Sequence, residues 1–149
     1  MLQSYNKEQA ILRINRLSEQ GKEFVFIIDY LQDCSYIEET NRLDSSFVLY
    51  NLNGFTNQDS IFPLRKTAVQ WNIDFPPFDQ YKPSFDYVLE NIRGGNSFLT
   101  NLTCRTLITT NLSLKEIFYH SKAMYKLWLK DAFVVFSPEI FVRIKGRKI

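Results

Sequence analysis

The sequence predicts an α+β fold, and three observations carry that expectation. Apolar residues recur at helical spacing in two stretches, 7–20 and 84–93. Strand-like apolar runs fall between and after these stretches. Gly and Pro, only five of each in 149 residues, sit at the borders of these patterns. Helices separated by several strands indicate a mixed fold with helices laid on sheets.

The elements follow in order. Asn6 with Gln9 forms a capping pair, Ala10, Ile11, Ile14 and Leu17 fall on one helical face, and Gly21 ends the helix. Residues 23–30 form a strand whose apolar run, Phe24-Val25-Phe26-Ile27-Ile28, occupies both faces, so it is expected inside a sheet covered on both sides. Residues 47–52 form a further strand closed by the turn Asn53-Gly54. From 56 to 82 the pattern is irregular, interrupted by Pro63, Pro76, Pro77 and Pro83. Phe75-Pro76-Pro77-Phe78 reads as an extended crossing segment. Its aromatics need a core, so no boundary is placed there, and residues 1–149 are read as one partial domain.

Ser84 caps a helix carrying Phe85, Val88, Leu89 and Ile92, which Gly94-Gly95 stops. Residues 97–109, rich in β-branched and aromatic side chains, are expected as one long strand. Ser113-Leu114-Lys115-Glu116 is a capping box opening a short helix with Ile117 and Phe118 inward. By periodicity that helix can run through Trp128; a break near Ser121 followed by a strand through Tyr125, Leu127 and Leu129 fits equally. Residues 132–136 form a strand leading into Ser137-Pro138-Glu139. Residues 140–144 alternate again, and Lys145-Gly146-Arg147-Lys148 reads as a tight turn with only Ile149 of a returning strand beyond it. A hairpin cut at its turn leads us to expect part of a larger protein.

A 45% hydrophobic share over 149 residues is enough for a real core. The longest apolar run, 24–28, is far too short to span a bilayer, and no basic segment followed by an apolar one opens the chain. A cytoplasmic protein without a membrane partner is expected. Cys34 and Cys104 lack metal-binding spacing and read as reduced thiols. Net charge is only +2, but Lys122, Lys126, Lys130, Arg143, Lys145, Arg147 and Lys148 cluster toward the C-terminus. Spaced charges on strands usually form a solvated face, and no nucleic-acid-binding signature accompanies them, so no nucleic-acid partner is expected.

Most catalytic patterns fail. His120 is the single histidine, which excludes multi-histidine metal sites and leaves a Ser-His-Asp triad without a motif; it reads as a surface or helix-end residue. Gly94-Gly95-Asn96 lacks phosphate-loop spacing, and a helix C-cap accounts for it. Asp29 ends an apolar run, where burial would raise its pKa or a partner at the strand end would hold it. Glu139, directly after Ser-Pro at the end of a strand, is well placed to face a cleft, although three residues alone favour a structural role.

Read together, four blocks resemble the chorismate-utilising enzymes, and among them component I of aminodeoxychorismate synthase (para-aminobenzoate synthase). They are Tyr81-Lys82-Pro83-Ser84-Phe85 with Val88 and Ile92; Gly95-Asn96-Ser97-Phe98-Leu99-Thr100-Asn101-Leu102-Thr103, similar to the family's "GDxYQxNLT" strand; the helix around Ile117-Phe118; and Phe136-Ser137-Pro138-Glu139, similar to "SFSPE". Asn53-Gly54-Phe55-Thr56-Asn57 resembles the N-terminal part of short members. The resemblance implies an α/β sandwich of antiparallel sheets flanked by helices. It implies binding of chorismate with Mg²⁺, and replacement of the 4-hydroxyl by an amino group on the way to para-aminobenzoate and folate. Ammonia would come from a partner glutamine amidotransferase, component II.

Glu139 takes the family's acid/base role by position. The family's nucleophilic lysine sits in a "PIKGT" motif a short hairpin beyond SPE, and Lys145 and Lys148 belong to the turn before it. The Mg²⁺-binding glutamates lie further C-terminal still, so the expectation is an N-terminal portion that is inactive alone. Leu99 replaces the family's strand glutamine, and Met124-Tyr125 stands where some relatives carry a proline-aromatic pair of a tryptophan pocket. The siblings, anthranilate and isochorismate synthases, are the nearest alternative, although Asn101-Leu102-Thr103 leans toward the aminodeoxychorismate branch. A non-catalytic binding module using the basic C-terminal face is the alternative from another class. Strand edges left unpaired would favour homo-oligomers by strand addition.

Overall fold

Three α-helices and three antiparallel sheets account for most of residues 2–59 and 68–137, the parts of the chain that the computed structural model describes, and this is the predicted α+β class. The order is β1 (Ser4–Tyr5), α1 (Lys7–Glu19), β2 (Phe24–Ile28), β3 (Ser35–Glu39), a 3₁₀ turn (Thr40–Arg42), β4 (Val48–Leu52), β5 (Phe55–Thr56), β6 (Trp71–Asp74), α2 (Phe78–Arg93), β7 (Leu107–Thr110), α3 (Leu114–His120), β8 (Tyr125–Leu129) and β9 (Phe133–Ser137). The chain divides into two units, Met1–Leu64 with Leu114–Ile149, and Arg65–Ser113.

In the first unit, α1 opens with the expected capping box: the Asn6 side chain accepts from Gln9 N–H, and the Gln9 side chain accepts from Asn6 N–H. It ends in a Schellman arrangement, with Gly21 N–H bonded to Ser18 O and Lys22 N–H to Leu17 O. Ala10 and Leu17 pack with Ile37 of β3, and Tyr5, Ile14 and Phe24 surround them. The sheet order is β1-β3-β2.

That order corrects two expectations. β3 was not foreseen, because Ser35-Tyr36-Ile37-Glu38-Glu39 carries one aliphatic residue in five; Ser35, Ile37 and Glu39 nevertheless turn inward. β2 is an edge strand and not an interior one: Phe26 is 56% exposed and Ile28 44%, because α1 covers the sheet over β3 and leaves the β2 margin bare. The strand is also shorter than 23–30, since Asp29 to Cys34 forms the turn into β3.

The second sheet of this unit runs β5-β4-β8-β9. Asn53 (φ 55°) and Gly54 (φ 93°) make the predicted tight turn, in which positive φ at both positions suits asparagine and glycine. β5 is only two residues long, and Asn57 finishes the edge in its place. The Asn57 side chain accepts from Tyr50 N–H at 3.0 Å and donates to Val48 O at 2.9 Å, as a neighbouring strand would. The sequence left the helix after Ser113 with two possible ends, and the chain takes the earlier one: α3 stops at His120 and β8 begins at Tyr125. Phe118 packs with Leu49 and Trp128 as the buried centre, flanked by Tyr119 and Val134.

In the second unit, α2 begins at Phe78 and not at Ser84, with Pro77 at its N-cap. Pro83 lies inside the helix; it costs one backbone hydrogen bond early in a 16-residue helix, where the remaining turns continue. The Gly94-Gly95 stop holds as a Schellman cap, with Gly95 N–H on Ile92 O, Asn96 N–H on Asn91 O, and Gly95 at φ 74°. β6 was hidden in the irregular stretch and pairs with β7. The long strand expected over 97–109 is mostly absent: only Leu107–Thr110 forms a strand, and 97–106 is irregular, with a bend at Phe98 and no partner strand among the described residues. No described residue of this unit is buried.

Candidate functional site

The strand expected before Ser-Pro-Glu is present as β9. Its partner is β8, in the register Tyr125↔Ser137, Lys126↔Phe136, Leu127↔Val135 and Trp128↔Val134. Asp131, at φ 57°, turns the connection, and Lys130 N–H bonds Phe47 O at 2.9 Å, tying the turn to the approach of β4. Ser137 is thus the last paired residue of the β8–β9 hairpin, opposite Tyr125 at the margin of the sheet. Glu139 follows it by two residues in sequence and lies outside the described residues, as do 140–144 and the basic turn at 145–148.

Cross-strand alternation sorts the hairpin into two faces. Leu49, Trp128 and Val134 share the face covered by α3, and Lys126 and Phe136 stand on the same face one step along. The opposite face carries Leu52, Tyr125, Leu127, Val135 and Ser137, which line a shallow apolar groove.

Lys126 is the residue that sequence reasoning misplaced. Expected among solvated lysines, it is only 6% exposed. Its Nζ donates to Phe118 O at 2.9 Å and Ser121 O at 3.0 Å, and it sits 4.5 Å from the centroid of the Phe118 ring. The carbonyls at a helix C-terminus are unpaired and carry partial negative charge, so a cation there closes the helix end. Burial lowers the pKa of the Lys126 amine below the usual lysine value. The available signal was parity: Lys126 shares a face with Trp128, two residues on, and follows a short helix whose end needs donors. Lys122 and Lys130 are exposed, Lys130 lying over the Phe47 ring, so the described lysines do not form one basic face.

The other candidates fall apart from this hairpin. His120 is exposed at the end of α3, as expected. The Asp29 carboxylate is exposed and accepts from Cys34 N–H at 2.9 Å, so the strand-end partner is the turn backbone. Cys34 and Cys104 are both free thiols. Arg13, Lys22 and Arg42 gather on Glu39 at 3.6–4.0 Å, so that acidic residue is already matched by cations. Among the described residues no group of three or more His, Cys, Asp or Glu is gathered to hold a metal ion. The described side chains therefore offer no Mg²⁺ site. No helix among them is long and apolar enough to cross a membrane.

The β8–β9 hairpin backed by α3, together with the sequences Asn101-Leu102-Thr103 and Phe136-Ser137-Pro138-Glu139, agrees with the chorismate-utilising class. Residues 9–149 match the chorismate binding enzyme family, and the protein belongs to it. It is 36% identical over 142 residues to an uncharacterized PabA-like protein of Haemophilus influenzae, covering 95% of this chain and 43% of that protein. It is 33% identical over 150 residues to a PabA-like protein of Pasteurella multocida, covering 93% of this chain and 43% of that one. The chain thus spans less than half the length of these relatives. No solved structure matches it.

Proposed function

We propose that these residues are the N-terminal part of an aminodeoxychorismate synthase component I, which replaces the 4-hydroxyl of chorismate by an amino group. The observation that carries this reading is the sequence Phe136-Ser137-Pro138-Glu139, whose first two residues close β9, inside a chain of the chorismate binding enzyme family. Asn101-Leu102-Thr103 favours this branch over the anthranilate and isochorismate branches.

In this reading Glu139 is the acid/base. As the C4–O bond breaks, its carboxyl gives a proton to the departing hydroxide, which leaves as water. As ammonia forms the C4–N bond, the carboxylate takes a proton back. One group serving both steps needs a pKa near the working pH, which partial burial gives a carboxyl. The β8–β9 register and the α3 contact hold the end of β9, two residues before Glu139 in the sequence. Mg²⁺, bound by residues outside those described, would supply charge neutralisation for the substrate carboxylates. Ammonia would come from a glutamine amidotransferase partner, and the cytoplasm is the expected compartment.

Incubating the full gene product with chorismate, ammonia and Mg²⁺ and identifying the product tests the reading. Aminodeoxychorismate is expected; anthranilate or isochorismate would move the protein to a sibling branch, and no chorismate consumption would overturn it. The 149 residues alone are expected to give no turnover, because removing part of a catalytic constellation costs orders of magnitude.

A further inference from the structure

Beside the core stripe of α1 runs a second stripe with a different chemistry. Gln9, Leu12, Arg13 and Arg16 stand at i, i+3, i+4 and i+7, and Gln3 and Tyr5 flank them from the chain at β1. These six residues line a cleft of about 280 Å³, and no carboxylate is among them. Gln9 Oε1 is already taken by Asn6 N–H in the capping box, so its amide N–H groups are what remain to face a ligand. Leu12, 70% exposed, and the Tyr5 ring supply an apolar wall.

Arg13 is held in place but not satisfied. Its Nε is buried and has no hydrogen-bond partner among the described residues. Its Nη2 stands 3.7 Å from Glu38 and 3.9 Å from Glu39, beyond hydrogen-bond range. Both carboxylates have other commitments: Glu38 accepts from Glu39 N–H at 3.0 Å, and Glu39 is approached by Lys22 and Arg42. Arg16 is exposed and pairs with no carboxylate among the described residues. Two guanidinium groups three residues apart repel until an anion stands between them. A buried N–H without an acceptor costs free energy that an incoming carboxylate recovers, and a guanidinium fork takes both of its oxygens.

We propose that this cleft binds a small monocarboxylate with an aromatic body. The carboxylate lies on the forks of Arg13 and Arg16, and the ring lies against Tyr5 and Leu12. The volume sets the size, since 280 Å³ is at the lower end of ligand pockets and suits a single ring. The apolar wall sets the class, because an inorganic anion would leave Tyr5 and Leu12 unused. Neither α1 nor β1 belongs to the sheet of the β8–β9 hairpin, and the inference stands whichever chorismate-dependent reaction the protein performs. Product analysis and the following test therefore fail independently.

Benzoate, benzamide and inorganic phosphate are each titrated into the full gene product by calorimetry at about 0.15 M ionic strength, while the arginine Nε–H resonances are followed by NMR. Benzoate should bind saturably with a Kd of about 1 mM or tighter and shift the Arg13 and Arg16 resonances. Benzamide and phosphate should bind at least about tenfold more weakly, and Arg13→Gln and Arg16→Gln should each weaken benzoate by a similar factor. Because Arg16 is exposed, Arg16→Gln should keep the thermal midpoint of the wild type, which separates loss of the site from loss of the fold. Benzoate binding unchanged in Arg16→Gln would overturn the proposal, as would phosphate or benzamide binding as tightly as benzoate. No saturable binding up to about 10 mM would overturn it as well.

Discussion

The two units of this chain share one kind of sequence and differ in what it achieves. Both contain amphipathic helices, aromatic residues and antiparallel strands. In the first, α1 closes over Ile37 and α3 over Leu49 and Trp128, giving two buried clusters. In the second, a 16-residue helix and a two-stranded sheet leave every described side chain at least partly open to water. The difference is one of partners. A hairpin and a helix become stable when a third layer lets each bury its apolar face, and a lone two-stranded sheet is marginal in water.

The largest expected contrast is between Phe118 and Phe98. Phe118→Ala empties the centre of the α3 cluster and should cost about 3–5 kcal/mol in urea denaturation. Phe98→Ala removes a side chain that is almost wholly exposed and should change stability by less than about 0.5 kcal/mol. A similar cost for both would break the comparison.

Lys126→Ala comes next. It strips the donors from Phe118 O and Ser121 O and should cost about 1–3 kcal/mol by the same measurement. Lys126 also gives a pH signature. Its folded pKa lies below its ordinary 10.5, so the cost of burying the charge is fully present at neutral pH. It is relieved as pH rises through the folded value, because the folded state sheds its proton first. Stability of the wild type relative to Lys126→Met should therefore rise with pH up to about 10.5 and then level. Taking the difference cancels Tyr50 and Tyr119, whose pKa values burial raises and whose contribution falls above 10. A flat difference would mean that the amine is not desolvated. The smallest effect is at the end of the first unit: Asn6→Ala breaks the capping box and should cost about 1 kcal/mol.

The same contrast explains what the sequence revealed. Signals that act within a few residues were legible: the Asn6/Gln9 box, the Asn53-Gly54 turn, the Gly95 cap and the start of α3 all stand where their chemistry puts them. Signals that depend on neighbours far along the chain were not. Phe24–Ile28 has the composition of an interior strand, yet it lies at an edge because what flanks it depends on the rest of the sheet. Residues 97–106 have the composition of a strand but find no partner strand among the described residues. β3 and β6 were obscured by polar residues and prolines nearby. At the candidate site the β9 strand was legible and Lys126 was not, because a lysine's composition does not say that two helix-end carbonyls will be waiting for it.

Glu139 carries the functional reading, and its substitution tests that reading most directly. With chorismate, ammonia and Mg²⁺, Glu139→Gln in the full gene product should lower kcat about 10²–10⁴-fold while the thermal unfolding midpoint stays near that of the wild type. Turnover within a few-fold of wild type in a folded variant would contradict the assignment of acid/base chemistry to this residue.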